Sequence, residues 1–221
     1  MVITIDGPAG TGKSSVALEV ADRLKFGFLD TGAMYRAVAL EAIRRNCDLK
    51  DPRALAFISK HVRIEFDWSA HPPIVILNRE PVSHLLRGGQ TSQAASYVAV
   101  VPAIREAMVR KQREIAKERG DIVTEGRDQG TVAFPDAEFK FYLDATPDER
   151  ARRRIVQLRS RGEMHNFNEI LNEIRERDER DSSRAVGPLS VPTGAIVIDT
   201  TSLSQQQVAD RIELTVRGGA A

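Results

Sequence analysis

Close to the N-terminus the sequence reads Gly7-Pro8-Ala9-Gly10-Thr11-Gly12-Lys13-Ser14, which matches the spacing G-x-x-x-x-G-K-S/T. Glycines so placed let backbone N–H groups turn inward around phosphate oxygens, and a lysine there reaches the β- and γ-phosphates of a nucleoside triphosphate. Ser14 offers a hydroxyl to Mg2+, and Ser15 continues the same cradle. The chemistry expected is phosphoryl transfer from ATP with Mg2+, with Lys13 stabilising charge on the moving group. A phosphate loop alone does not separate a kinase from a nucleotide-gated switch, so the acceptor has to be read elsewhere.

The arginines are the next residues with chemistry to offer. The 32 basic residues comprise 7 lysines and 25 arginines. That bias fits a codon preference as well as it fits a need for flat guanidinium groups that grip phosphate oxygens in pairs. Position decides between them: Arg127 precedes Asp128, Arg177 to Arg184 is interleaved with Asp178 and Asp181, and Arg150 to Arg161 is densely basic.

These groups need elements to position them. Val2 to Ile5 is a β-branched run, followed by the glycine loop and by apolar residues at Val16, Ala17, Val20, Ala21 and Leu24, which gives strand, loop and amphipathic helix. Further helices are expected from about Ala33 to Arg45, after Asp51-Pro52, from Ala103 to Glu118, from Thr146 through Arg161, over Asn166 to Arg180 and over Ser204 to Val216. Thr146 and Glu149 have capping-box spacing. Thr31 reads equally as a helix cap and as an acceptor contact.

Strands are expected at Ile122 to Thr124, at Phe139 to Leu143 and, as a last buried strand, at Ala195 to Ile198. From Val62 to Trp68 the period becomes two, and Ile74 to Leu77 can return as a hairpin partner. Ser59 to Ser96 thus reads as an inserted module within one domain spanning residues 1–221. The expected fold is α/β: a five-stranded parallel sheet flanked by helices, with ligands at the carboxyl ends of its strands.

Composition sets outer bounds. A hydrophobic content of 42%, a charged content of 29% and a net charge of +1 are ordinary for a globular protein and imply neither a nucleic-acid nor a membrane partner. The single cysteine, Cys47, cannot make an internal disulfide, which fits a reducing cytoplasm. Met1 to Asp6 carries no basic stretch followed by a long apolar run, so neither a signal peptide nor a membrane span is expected at this end. His61, His71, His84 and His165 have no metal-like spacing and receive no role. A monomer is expected.

Three segments carry a resemblance: Leu29-Asp30-Thr31-Gly32-Ala33-Met34-Tyr35-Arg36, then Glu125-Gly126-Arg127-Asp128-Gln129-Gly130-Thr131 with Phe134-Pro135-Asp136-Ala137, then Arg177 to Ala185. In these, nearly end to end, the chain resembles the bacterial cytidylate kinase family. The resemblance implies a P-loop kinase fold with an acceptor-binding insert and a short arginine-rich lid at about residues 150–163. It implies that Ser96, Arg105 and Asp128 hold the cytosine, Arg177 and Asp181 the ribose, and Arg36, Arg127 and Arg184 the acceptor phosphate. Lys13, Arg127 and Arg184 would then serve transfer, while Arg154 and Arg159 are the lid arginines expected over the ATP. The implied partners are ATP and CMP or dCMP. Other small-molecule kinases, acting on UMP, AMP or dephospho-coenzyme A, share the loop, and the set Ser96, Arg105 and Asp128 separates them. A GTPase generally needs an N-K-x-D segment, which this sequence lacks.

Overall fold

β-Branched residues in Val2–Asp6 form a central strand because both faces of the sheet they join are covered by helices. A computed structural model describes residues 1–86, 88–160 and 162–218. The chain order is β1 (Val2–Asp6), α1 (Lys13–Leu24), β2 (Gly27–Asp30), α2 (Thr31–Arg44), α3 (Pro52–His61), β3 (Ile64–Asp67), β4 (Ile74–Leu77), β5 (Glu80–Pro81), α4 (Gly89–Val98), α5 (Pro102–Arg119), β6 (Ile122–Glu125), a π-helical turn (Gln129–Ala133), β7 (Phe139–Asp144), α6 (Pro147–Arg159), α7 (Phe167–Ser183), β8 (Ile196–Asp199) and α8 (Gln205–Gly218).

Five strands pair in parallel in the order β2-β6-β1-β7-β8. The connections leave β1 toward β2 on one side and later reach β7 on the other, so a crevice opens at the carboxyl end of β1. One face of the sheet is covered by α1 and α8 through Val16, Val20, Val208 and Ile212. The other is covered by α2, α3, α4 and α5, with Met34, Leu55 and Ile104 in one apolar cluster.

Two strands differ from the sequence pattern. Gly27–Asp30 is a strand that the apolar periodicity does not single out, being four residues long and bounded by a glycine and a charge. The strand at Ile196–Asp199 is not buried as expected: Ile196 is 44% and Val197 55% exposed, because β8 is the sheet edge and has a neighbour on one side only.

The hairpin β3–β4 pairs antiparallel with Ile64 opposite Leu77, and Pro81 lies on the short edge strand β5, where a missing N–H is tolerated. A ribbon this small cannot bury enough surface alone. Ile64, Val75 and Leu77 accordingly join the cluster of Leu29 and Met34, and residues 59 and 96 fall inside α3 and α4. Helices α6 and α7 form a pair with its own apolar seam of Ala151, Ile155, Leu158, Ile170 and Ile174. Arg161, at the end of the basic stretch, lies outside the described residues.

Helix starts follow their caps. Asp51 accepts from the N–H groups of Arg53 (2.8 Å) and Ala54 (3.2 Å), with Pro52 in the first turn. Thr146 accepts from the Glu149 N–H at 3.3 Å, but the reciprocal half of the capping box is replaced: the Glu149 carboxylate pairs with Arg153 and Arg152. Thr31 is not the cap of α2; Asp30 is, accepting from the Ala33 N–H at 2.7 Å, and the Thr31 hydroxyl instead donates to the Glu125 carbonyl at 2.7 Å. Among the described residues no helix is long and apolar enough to cross a membrane.

Candidate active site

The glycine loop leaves β1 with Gly7 at φ 142°, a left-handed conformation, and a Cβ there would run into the Leu143 carbonyl on β7. Helix α1 then starts at Lys13 with no side-chain cap, so its first N–H groups and its positive dipole end face the loop's interior. Lys13 is buried, and its ammonium donates to the Pro8 carbonyl at 2.6 Å. Burial, and then the Arg127 guanidinium, hold it well below the usual lysine value. The Ser14 hydroxyl donates to Glu125 Oε1 at 2.8 Å. Burial, and then Asp30 beside it, push the Glu125 carboxyl up.

The loop is supported from behind by residues that sequence reasoning left undistinguished within Arg150 to Arg161. The buried Arg150 donates to the carbonyls of Ala145 (3.0 Å) and Ala9 (3.2 Å) and pairs with Asp178 at 2.7 Å. Arg153 donates to Thr200 Oγ1 at 3.1 Å. Of the two expected lid arginines, Arg154 donates to Gln157 Oε1 at 2.7 Å and lies near enough to Arg177 to act on it, whereas Arg159 is exposed in the last turn of α6. The Ser15 carbonyl accepts from Gln205 at 3.2 Å.

Across the crevice, four elements converge: α2 brings Arg36, α5 Arg105, the segment after β6 Arg127 and Asp128, and the end of α7 Arg177, Asp181 and Arg184, while Ser96 sits on α4. Arg105 and Asp128 form a short, fully buried ion pair, and Arg184 lies 3.7 Å from the other oxygen of Asp128. Arg127 Nε donates to Asp181 at 2.8 Å, and Arg184 stands 3.8 Å from the other Asp181 oxygen. Arg36 pairs with Asp30 at 2.8 Å, and Ser96 donates within its own helix to the Gln93 carbonyl at 2.8 Å.

Positive charge is in excess there. Burial, and then Arg127, push Arg177 down to about 10, the effect expected of a guanidinium that an anion would relieve. Among the described residues, the buried side-chain atoms with no hydrogen-bond partner include Arg36 Nε, Arg105 Nε, Arg177 Nε and Arg184 Nη2. Four unpartnered guanidinium donors thus belong to residues of one cluster, where buried donors are ordinarily paired. Tyr35, beneath Arg105 at 5.5 Å, has an unpartnered buried hydroxyl and is pushed up to about 12 by burial. A separate groove of about 600 Å3 runs along α5 between Val109, Val132 and Val186, on the outer side of Arg105.

Tyr35, Glu125 and Asp6 escaped sequence reasoning as site residues, and each lay inside or beside a quoted motif. Asp6 is fully buried, and burial pushes it up to about 6 from an ordinary 3.8. A raised carboxyl binds its proton more readily folded than unfolded. Its contribution favours folding below pH 3.8 and is lost as pH rises through 6, a difference of roughly 3 kcal/mol. The stability of wild type minus Asp6→Asn, followed by urea unfolding, is therefore expected to fall between pH 4 and pH 7. A difference that is flat with pH would count against it.

A family profile described as cytidylate kinase matches residues 3–217. A cytidylate kinase of Caldanaerobacter subterraneus subsp. tengcongensis is 44% identical over 215 residues, covering 97% of this chain and 94% of the relative. One of Azotobacter vinelandii is 45% identical over 214 residues, covering 96% of this chain and 93% of the relative. Among solved structures, a shikimate kinase from Bacteroides thetaiotaomicron superposes with a TM-score of 0.51 at 12% identity, covering 98% of each chain, which is a likeness of fold alone. With the profile running from β1 to α8 and the relatives matching almost their whole length, the chain belongs to the cytidylate kinase family.

Proposed function

We propose that this protein transfers the γ-phosphate of ATP, with Mg2+, to CMP and dCMP, giving ADP and CDP or dCDP. The observation that carries the reading is the buried Arg105–Asp128 pair with unsatisfied guanidinium donors around it, across the crevice from a phosphate loop. The names of the relatives point the same way.

Asp128 accepts from the cytosine amino group, while Arg105, with Ser96 on α4, faces the ring's acceptors. Arg177 and Asp181 hold the sugar, and Arg36, Arg127 and Arg184 hold the acceptor phosphate in line with the donor, beside Thr31 at the start of α2. Such a clamp leaves little covalent chemistry for the protein, because catalysis here is positioning plus stabilisation of charge on the moving group. Lys13 and the α1 N–H groups supply that charge on the donor side, and Arg127 and Arg184 on the acceptor side. The helices around residues 150–163 act as the lid that excludes water, with Arg154 better placed than Arg159 to reach the triphosphate. Residues 59–96 act as the acceptor-binding insert.

The Ser14 hydroxyl and the Glu125 carboxylate beside it offer hard oxygen donors of the kind that suit Mg2+, and a divalent cation would favour the charged form of a carboxyl that burial pushes up. When bound, the ion screens negative charge on the β- and γ-oxygens. Every group assigned to either substrate comes from one chain, so a monomer suffices.

A coupled assay with ATP and Mg2+ tests the acceptor directly. CMP and dCMP are expected to turn over well, UMP less well and AMP hardly at all. Comparable kcat/KM for AMP and CMP would defeat the assignment.

A further inference from the structure

We propose that Asp6 and Arg113 are positioning residues which clamp the π-helical turn at its two ends, and that this clamp sets Arg127 and Asp128 and so the choice of acceptor base. The inference rests on the acceptor reading above. Neither side chain touches substrate in that reading; both act through the turn.

A π-helical turn is wide and poorly packed, and it persists where its surroundings hold it. Here the Asp6 carboxylate accepts from the first two N–H groups, Gln129 at 2.8 Å and Gly130 at 2.7 Å. The Arg113 guanidinium donates to the carbonyls at the far end, Val132 and Ala133, each at 2.8 Å. An anion thus sits at the positive end of the turn and a cation at its negative end, the arrangement that stabilises aligned peptide dipoles. In between, Gln129 accepts from Thr124 at 3.0 Å and reaches Gln112 at 3.4 Å.

The consequence falls on Asp128. It precedes the turn as its cap residue, and an aspartate there ordinarily spends its carboxylate on the N–H groups that follow. Asp128 makes no such bond. Because Asp6 has taken those donors, the Asp128 carboxylate stays turned toward Arg105 and Arg184. The clamp also spans the two halves of the site. Asp6 is the residue before Gly7 of the phosphate loop, and Arg113 lies on α5, eight residues and about 12 Å along the helix from Arg105. Releasing the Asp6 end frees the first N–H groups of the turn for Asp128 to cap, and releasing the Arg113 end unpins the turn's carbonyls so that the segment carrying Asp128 loses its fixed register; either loss moves Asp128 away from the base.

Arg113 supplies the cleaner test, because it lies on the exposed side of α5 and its replacement leaves the core intact. Arg113→Met keeps the stem and removes both donors, and Arg113→Lys keeps the charge. With Met, KM for CMP is expected to rise about tenfold and the CMP-over-UMP ratio of kcat/KM to fall about tenfold, with KM for ATP changing less than twofold. Lys is expected to recover part of both. Asp6→Asn, which turns an N–H toward the N–H of the turn, is expected to shift the same ratio in the same direction. The proposal is overturned if Arg113→Met leaves KM for CMP and the ratio within twofold of wild type. It is equally overturned if KM for ATP and CMP rise together with a lowered Tm, the pattern of general loosening. Should the wild type itself not prefer CMP, the acceptor reading fails on that measurement. The clamp is then judged by hydrogen exchange at residues 129–134, expected to quicken at least about tenfold in Arg113→Met, and unchanged exchange overturns it.

Discussion

Replacing Lys13 with alanine is expected to lower kcat about a thousandfold while CMP binding stays near the wild-type level. The ammonium is buried in the loop and anchored on the Pro8 carbonyl at 2.6 Å, so it is held in place before any charge moves. A fixed donor aimed at developing charge in a dry site stabilises the transition state more than the ground state, which places its loss in kcat. The fold should not suffer. A lysine whose folded value is depressed binds its proton less well in the native chain than in the unfolded one, so at neutral pH its charge costs stability. Lys13→Ala is thus expected to unfold at the same Tm as wild type or above it, and inactivity cannot be ascribed to unfolding. Steady-state rates, calorimetric CMP binding and thermal unfolding check the three parts. A loss of kcat below about tenfold would remove Lys13 from the transfer step.

The donor side was largely legible in the sequence because it is local. The loop's glycines, lysine and serine are consecutive, and the flanking strand and helix announce themselves through a β-branched run and a helical period. Asp51-Pro52 and Asn166 mark helix starts for the same reason. The acceptor side was legible only as residue types. Its pairings cross long stretches of chain, 23 residues for Arg105 with Asp128 and 54 for Arg127 with Asp181, and no periodicity encodes them. Thr31 shows how a local rule can point one residue astray: two adjacent residues can cap α2, and the one on the strand side does.

The π-helical turn was out of reach for a different reason. Nothing local in Gln129 to Ala133 marks a helical turn, and what holds its start is a carboxylate more than a hundred positions earlier in the chain. Likewise, an arginine-rich helix gives no hint of which guanidinium turns inward. Arg150 does, in the first turn of α6, because that turn packs against the phosphate loop and Asp178. The edge strand β8 misled through composition: Ile-Val-Ile reads as interior, yet only Ile198 of the three is buried.

Asp128→Asn is expected to lower kcat/KM for CMP about a hundredfold and to lower that for UMP much less, so that discrimination between the two collapses. An ionised aspartate only accepts hydrogen bonds, whereas an asparagine presents one acceptor and two donors. Arg105 donates to one oxygen of Asp128 and will claim the amide oxygen of the variant, which turns the NH2 toward the base. Against cytosine this sets two donors face to face, and a clash of buried donors costs about 1 to 3 kcal/mol for each group left unpaired. Against uracil the same NH2 meets an oxygen and gains a bond. Arg105 and Arg184 also lose their shared carboxylate, and breaking a buried pair costs about 3 to 5 kcal/mol, so a lowered Tm should accompany the change. That loss does not confound the measurement, because both acceptors compete for the same folded fraction and the ratio cancels it. If the CMP-over-UMP ratio in Asp128→Asn stays within twofold of wild type, Asp128 does not read the base.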